Sequence, residues 1–147
     1  MKRMHIHVGV DQLDPAITFY SALFGAPPAK TKVDYAKWVL DDPCVNFAIS
    51  TRVSGRGVDH LGIQVDEDRE LEEMRDRLKA ADMSVFDEGE TVCCYARSDK
   101  SWVEDPAGIA WEAYKTMDEA RFFHADEAGD DSAASAPEAG ASMGGCC

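Results

Sequence analysis

Two stretches of this chain repeat each other, and that constrains its fold more than anything else in it. His5–Val10 reads HIHVGV and His60–Val65 reads HLGIQV, each a histidine followed by apolar residues at every second position. Ile6, Val8 and Val10, or Leu61, Ile63 and Val65, fall on one face of a strand and the leading histidine on the other. A helical pattern follows each strand. Ile17, Tyr20, Leu23 and Phe24 predict a helix over about 14–24, stopped by Gly25 with prolines beyond, and Leu71, Met74 and Leu78 predict another over about 68–81. Extended runs come next: 35–40 and 45–51 in the first half, then 85–86, 91–97, 101–103 and 109–115 in the second. Asp41-Asp42-Pro43 and Glu104-Asp105-Pro106 mark turns before the last strand of each half. The expectation is an α+β fold of two βαβββ modules, about 1–54 and 55–120, forming a cupped mixed sheet.

Composition sets the limits of that fold. A chain of 147 residues, 45% hydrophobic and 29% charged, fits one soluble domain with a sizeable core. No apolar run approaches the roughly 20 residues that span a bilayer, and the N-terminal MKRMHIHVGV enters an alternating strand directly, so the expected location is cytoplasmic, away from membrane. A net charge of -13 argues against nucleic acid, whose phosphates such a surface repels. Residues 121–147 are rich in Ala, Gly, Ser and acid with almost no core-forming side chains, which predicts a disordered acidic tail ending in Cys146-Cys147.

The five cysteines form two adjacent pairs plus one, poor material for a disulfide scaffold. Cys44, in CVNFAIS beside Val45 and Phe47, reads as a buried packing residue. Cys93 and Cys94 stand among charged residues in GETVCCYARSDKSW and read as chemistry. Neighbours on a regular strand point to opposite faces, so two thiols that grip one atom require an irregular, mobile loop, with Gly89 as its pivot and with Arg97 and Lys100 favouring thiolates.

His5 and His60 occupy equivalent places in the two halves, and a pseudo-twofold arrangement brings them together in a shared cup. Glu112 in GIAWEAYK alternates with Trp111 and Ala113 and faces the other way from them; if that face lines the cup, two imidazoles and a carboxylate converge. Such a set leaves open positions on non-haem Fe(II), and it also holds zinc or manganese.

The runs HIHVGVDQLDPAITFYSALFG, DHLGIQV, CCYARSDKSWVEDP and WEAY resemble the vicinal oxygen chelate superfamily, whose paired βαβββ modules surround a metal. Within it the chain looks like the ArsI-type carbon–arsenic lyases and their CadI-type cadmium-induced relatives, and the pattern CCYA, a charged stretch, then W-V-x-D-P is the specific part. The resemblance covers nearly all of residues 1–120 and none of the tail. It implies that His5, eight residues before Leu13, His60 in DHLG and Glu112 in WEAY are the catalytic Fe(II) ligands, with His7 as the alternative to His5 under a two-residue shift. It implies that Cys93 and Cys94 hold trivalent arsenic, and that O2 is the co-substrate in cleavage of a methyl or aryl organoarsenical to arsenite, an arsenic-resistance activity. Two thiolates match the two exchangeable hydroxyls of R–As(OH)2. Tyr95, Trp102, Trp111 and Tyr114 are candidates for packing the organic group. Many relatives pair modules between subunits, so a homodimer is an alternative way to complete the cup. Two other functions fit the same residues: a non-catalytic thiol protein sequestering cadmium or arsenite, and a glyoxalase-like isomerase or transferase using a divalent metal without redox chemistry.

Overall fold

Each half of the chain forms the strand, helix and three strands that its repeat predicts, and the two halves share one sheet. In the computed structural model, which describes residues 2–93 and 95–119, the first half runs β1 (Arg3–Gly9), α1 (Leu13–Phe24), β2 (Lys30–Lys32), β3 (Tyr35–Asp41) and β4 (Cys44–Ser50). The second runs β5 (Gly57–Val65), α2 (Asp68–Ala80), β6 (Phe86–Cys93), β7 (Ala96–Glu104) and β8 (Ala110–Glu119). The tail and Cys94 lie outside the described residues, as does the terminal cysteine pair. α1 ends where Gly25 takes a left-handed φ of 65° and returns its N–H to the Ser21 carbonyl. Trp38 then pins the exit by donating its indole N–H to the Ala26 carbonyl at 3.1 Å.

The eight strands lie in the order β2-β3-β4-β1-β5-β8-β7-β6. Within each half the first strand pairs in parallel with the last, β1 with β4 and β5 with β8, as a helical crossover requires. The halves meet where β1 runs antiparallel to β5. Strand alternation sorts the two faces of this sheet. Trp38, Phe47 and Ile49 pack outward with Ile17, Tyr20 and Phe24 of α1, and Val65 and Ala113 pack outward with Leu71 and Met74 of α2. His5, His7, His60 and Glu112 occupy the other, concave face, and all four are buried.

The sheet curls until its two ends touch. Tyr95, joining β6 to β7 at one end, buries its ring against Tyr35 at the other, 5.8 Å between centroids. Its hydroxyl donates to Asp34 at 2.6 Å, and Lys30 of β2 donates to its carbonyl at 2.7 Å. Arg52 pairs with the same Asp34 carboxylate.

Three local expectations change. The extended run over 91–97 is broken: β6 ends at Cys93, which pairs with Ala96, and Tyr95 sits at a positive φ of 59°. A tyrosine pays for that conformation with its tertiary contacts, which strand periodicity does not register. The thiol segment is therefore the end of a hairpin, and Gly89, at φ 73°, occupies a β-bulge within β6 where the register shifts, not a loop pivot. The runs 85–86 and 101–103 are fragments of the longer β6 and β7. β2, three residues of lysine and threonine, carries no hydrophobic alternation and escaped the sequence reading.

Removing the Tyr95 hydroxyl isolates the anchor of the hairpin. Tyr95→Phe should lower unfolding free energy by about 1–3 kcal/mol, the range for a buried hydrogen bond to a charged partner. Denaturant unfolding measures the loss, and amide exchange at the β6–β7 end should quicken more than in α1 or α2.

Candidate metal centre

A single row of residues crosses the sheet through the centre of the cup. Asn46, His5, Gly62, Glu112 and Trp102 are successive register partners on β4, β1, β5, β8 and β7. Gly62 is the gap in that row. A Cβ there would stand 2.5 Å from the Glu112 carbonyl oxygen and 3.1 Å from its Cβ, so glycine lets the His5 and Glu112 side chains meet across the intervening strand.

His60 reaches the same point from two residues back along β5. It lies opposite His7, and the register then shifts so that Val8 faces Val58, leaving Asp59 as the extra residue of a bulge. That bulge puts two consecutive side chains within reach of each other: Asp59 accepts from His60 Nδ1 at 2.7 Å. His5 is oriented in the same way, its Nδ1 donating to the Asn46 carbonyl at 3.0 Å. With Nδ1 the protonated position in both rings, each Nε2 carries a lone pair. The two Nε2 atoms are 3.2 Å apart, and Glu112 Oε2 lies 3.7 Å from each.

With both rings neutral, two lone pairs and a carboxylate oxygen aimed at one point repel each other, and either a proton on His60 Nε2 or a cation between the donors relieves that repulsion. The spacings agree with a cation, since ligands about 2.1 Å from a common ion stand roughly 3 to 3.5 Å apart when adjacent. The outer hydrogen bonds, imidazole to carboxylate and imidazole to carbonyl, are those that fix metal-ligating histidines. Imidazole, imidazole and carboxylate suit borderline divalent ions. The residues present therefore fit a divalent metal.

Protonation equilibria express the same demand. Burial, outweighing the attraction of Glu112, lowers His5 to about 4. His7 falls to about 3 through burial and the neighbouring His60 and His5. Burial opposes charge on His60 as well, but Glu112 and Asp59 outweigh it, and its pKa rises above the ordinary value. Burial would raise Glu112; His60, Lys100 and His5 outweigh it and hold the carboxyl at about 2. At neutral pH the donor set holds neutral His5 and His7 and an anionic Glu112.

Sequence reasoning placed His5, His60 and Glu112, and all three converge here from one chain, so this cluster needs no second copy. Lys100, expected to favour thiolates, instead donates to Glu112 Oε1 at 2.5 Å and is 4% exposed. Arg97 pairs with Glu90. Asp59, Asn46 and Gly62 gave no sequence signal, because each acts through cross-strand register. His7, the alternative to His5, is 1% exposed, and among the described residues neither of its ring nitrogens has a hydrogen-bond partner.

Cys93 lines a cavity of about 30 Å³ together with His5, Tyr35, Lys100, Glu112 and Tyr114, so one of the two expected thiols opens onto the metal cluster. Cys44 is half-buried at the sheet margin rather than in the core, its thiol near the Lys2 carbonyl and Arg3. The aromatic candidates divide by strand parity. Tyr114 packs edge-on to His5 at 5.3 Å and Trp102 edge-on to His60 at 5.2 Å, whereas Trp111 lies on the convex face and bonds Asp105. A larger cavity of about 500 Å³ on that convex face, between α2 and the sheet, is lined by Ile63, Met74, Leu78 and Trp111, and Glu112 of β8 also borders it.

The family model described as Glyoxalase/Bleomycin resistance protein/Dioxygenase superfamily matches residues 2–113. A trivalent organoarsenical cleaving enzyme of Bacillus sp. (strain MD1) is 44% identical over 119 residues, covering 79% of this chain and 74% of that protein. The cadmium-induced protein CadI of Mycobacterium bovis is 36% identical over 124 residues, covering 84% and 82%. Among solved structures, the Mn(II)-bound glyoxalase of Novosphingobium aromaticivorans superposes with a TM-score of 0.58 at 18% identity, covering 85% of this chain and 44% of that one, a likeness of fold.

Gly62 is the direct test of the row. Gly62→Ala should cost about 1–3 kcal/mol from overpacking. It should also reduce bound metal, because β8 must yield and carry Glu112 away from the imidazoles. Thermal unfolding and metal analysis of the purified variant measure both effects.

Proposed function

The chain belongs to the Glyoxalase/Bleomycin resistance protein/Dioxygenase superfamily, and from that membership we propose that it cleaves the carbon–arsenic bond of trivalent organoarsenicals in an Fe(II)- and O2-dependent reaction. The observation that carries this reading is the convergence of His5 Nε2, His60 Nε2 and Glu112 Oε2 within 3.2–3.7 Å, beside a cavity that Cys93 also lines. The 44% identity to an enzyme named for cleaving trivalent organoarsenicals supports the choice of substrate.

His5, His60 and Glu112 hold the iron, which when bound supplies the oxygen chemistry. Everything else is positioning by the chain. Cys93 and Cys94 exchange for the two hydroxyls of R–As(OH)2, each thiol forming an As–S bond and giving its proton to the hydroxyl that leaves as water, so the organic substituent stays on arsenic. Cys93 faces the donor cluster, so the As–C bond is carried toward the metal, and Tyr114 and Trp102 flank the imidazoles where a methyl or aryl group would rest. Lys100 fixes the Glu112 carboxylate and offsets its charge in the buried cup. The products are arsenite and an oxidised organic fragment, which amounts to detoxification of the arsenical.

Incubating Fe(II)-loaded protein with a trivalent methyl or aryl arsenical, with and without O2, tests the reading through the arsenite released. Arsenite should appear only when both iron and O2 are present. Oxygen-independent turnover would point to isomerase or transferase chemistry, and tight thiol binding without turnover to sequestration; either result sinks the lyase assignment.

His5→Ala, His60→Ala and Glu112→Ala should each reduce arsenite release to about 1% or less, because each removes one of the donors held in place by the surrounding chain. Cys93→Ser should weaken arsenical binding by roughly 10–100-fold through lost chelation. Its metal content, read by elemental analysis, should stay normal.

A further inference from the structure

His7 is the one buried imidazole in the cup whose chemistry the triad leaves unexplained. It follows His5 by two residues on β1, shares its face and lies opposite His60. Its ring is 4.9 Å from that of His60 and 6.3 Å from that of His5 between centroids. It is 1% exposed, and both ring nitrogens lack a hydrogen-bond partner among the described residues. Burying a polar group without a partner is unfavourable, so an imidazole kept there in the resting fold implies a partner that arrives later. Leucine or phenylalanine would fill the same space without that cost.

We propose that His7 is a fourth protein donor to the metal centre, so that this chain presents three imidazoles and one carboxylate to its ion. The inference rests on the reading that His5, His60 and Glu112 hold a metal. Ligand atoms of His5, His7 and His60 all lie within 4.8 Å of one another. Donors about 2.1 Å from a common ion are at most roughly 4.2 Å apart, so a small side-chain adjustment lets the three imidazoles share an ion, and Glu112, outside that group of three, joins through its 3.7 Å approach to His5 and His60.

The chemistry of the surroundings ranks the ligands. His5 and His60 each have a second nitrogen held by an acceptor, Asn46 carbonyl or Asp59 carboxylate, which fixes the ring and strengthens the donor. His7 has no such support. It is the weakest and most readily displaced imidazole, able to cap the ion while the cup is empty and to yield its position to an incoming ligand. Three imidazoles with one carboxylate also hold borderline ions more tightly than two, raising the chain's affinity for Fe(II), Co(II) or Zn(II).

The test uses the full chain, loaded with Fe(II) or Co(II) under anaerobic conditions. X-ray absorption of the wild-type metal centre should count three imidazoles, and two would overturn the proposal. His7→Phe, which keeps ring volume, should lower metal affinity about tenfold in chelator competition. Without metal it should melt no lower than wild type, because an orphaned polar ring has been removed. His7→Gln guards against a packing effect of phenylalanine and should lose affinity too. Unchanged affinity in both variants, or a loss of arsenical binding with metal affinity intact, would overturn the role of His7 as a ligand. A wild-type chain that binds no metal, or binds it equally well after Glu112→Ala, would instead bring down the metal reading beneath it.

Discussion

Antiparallel pairing of β1 with β5 is the contact on which the rest of this molecule depends. It joins two modules that each bury one face under their own helix and leave the other bare, and it is the seam across which their histidines meet. The pairing puts His7 opposite His60 and His5 opposite Gly62, and the parallel pairing of β5 with β8 carries the same row on to Glu112. A slip of one residue along that seam would turn every imidazole outward to the helices, where Ile6 and Val8 now pack. The apolar alternation that builds the core thus also specifies the centre. Selection for a packed convex face holds the concave face in register.

The concave face gathers donor atoms whose mutual repulsion a bound cation would relieve. Lone pairs of two imidazoles and a carboxylate oxygen share one buried space, and His7 adds another ring with no hydrogen-bond partner among the described residues. Lys100 supplies one buried positive charge on the far oxygen of Glu112, steadying the carboxylate while leaving Oε2 directed at the histidines. A net charge of -13 over the chain favours the approach of divalent cations.

Closure of the sheet couples the thiol segment to the metal cluster. Tyr95 links the β6–β7 end to β2 and β3 through its ring, hydroxyl and carbonyl, so Cys93 is carried to the opening of the cup by a contact between the first and last strands of the sheet. That contact holds a tyrosine at positive φ, a local cost set against hydrogen bonds to Asp34 and Lys30. The small cavity between Cys93, His5 and Glu112 is the geometric consequence.

By itself the sequence laid out the paired modules and marked His5, His60 and Glu112 as the residues to bring together. Period-two alternation behind His5 and His60, helical stripes ending at Gly25 and after Leu78, and the parity of Glu112 against Trp111 and Ala113 are local patterns, and local patterns survive folding because burial of one face enforces them. Tertiary structure alone decided the rest. That Gly62 opens a gap between His5 and Glu112, that a bulge at Asp59 turns its carboxylate onto His60, and that Lys100 serves Glu112 rather than the thiols all follow from register between strands distant in sequence. The break at Tyr95 was illegible for the same reason: a non-glycine residue at positive φ is stabilised by partners some sixty residues away. His7 stood in the sequence as a rival for the place of His5; the fold shows both rings buried side by side, because residues two apart on a strand share a face.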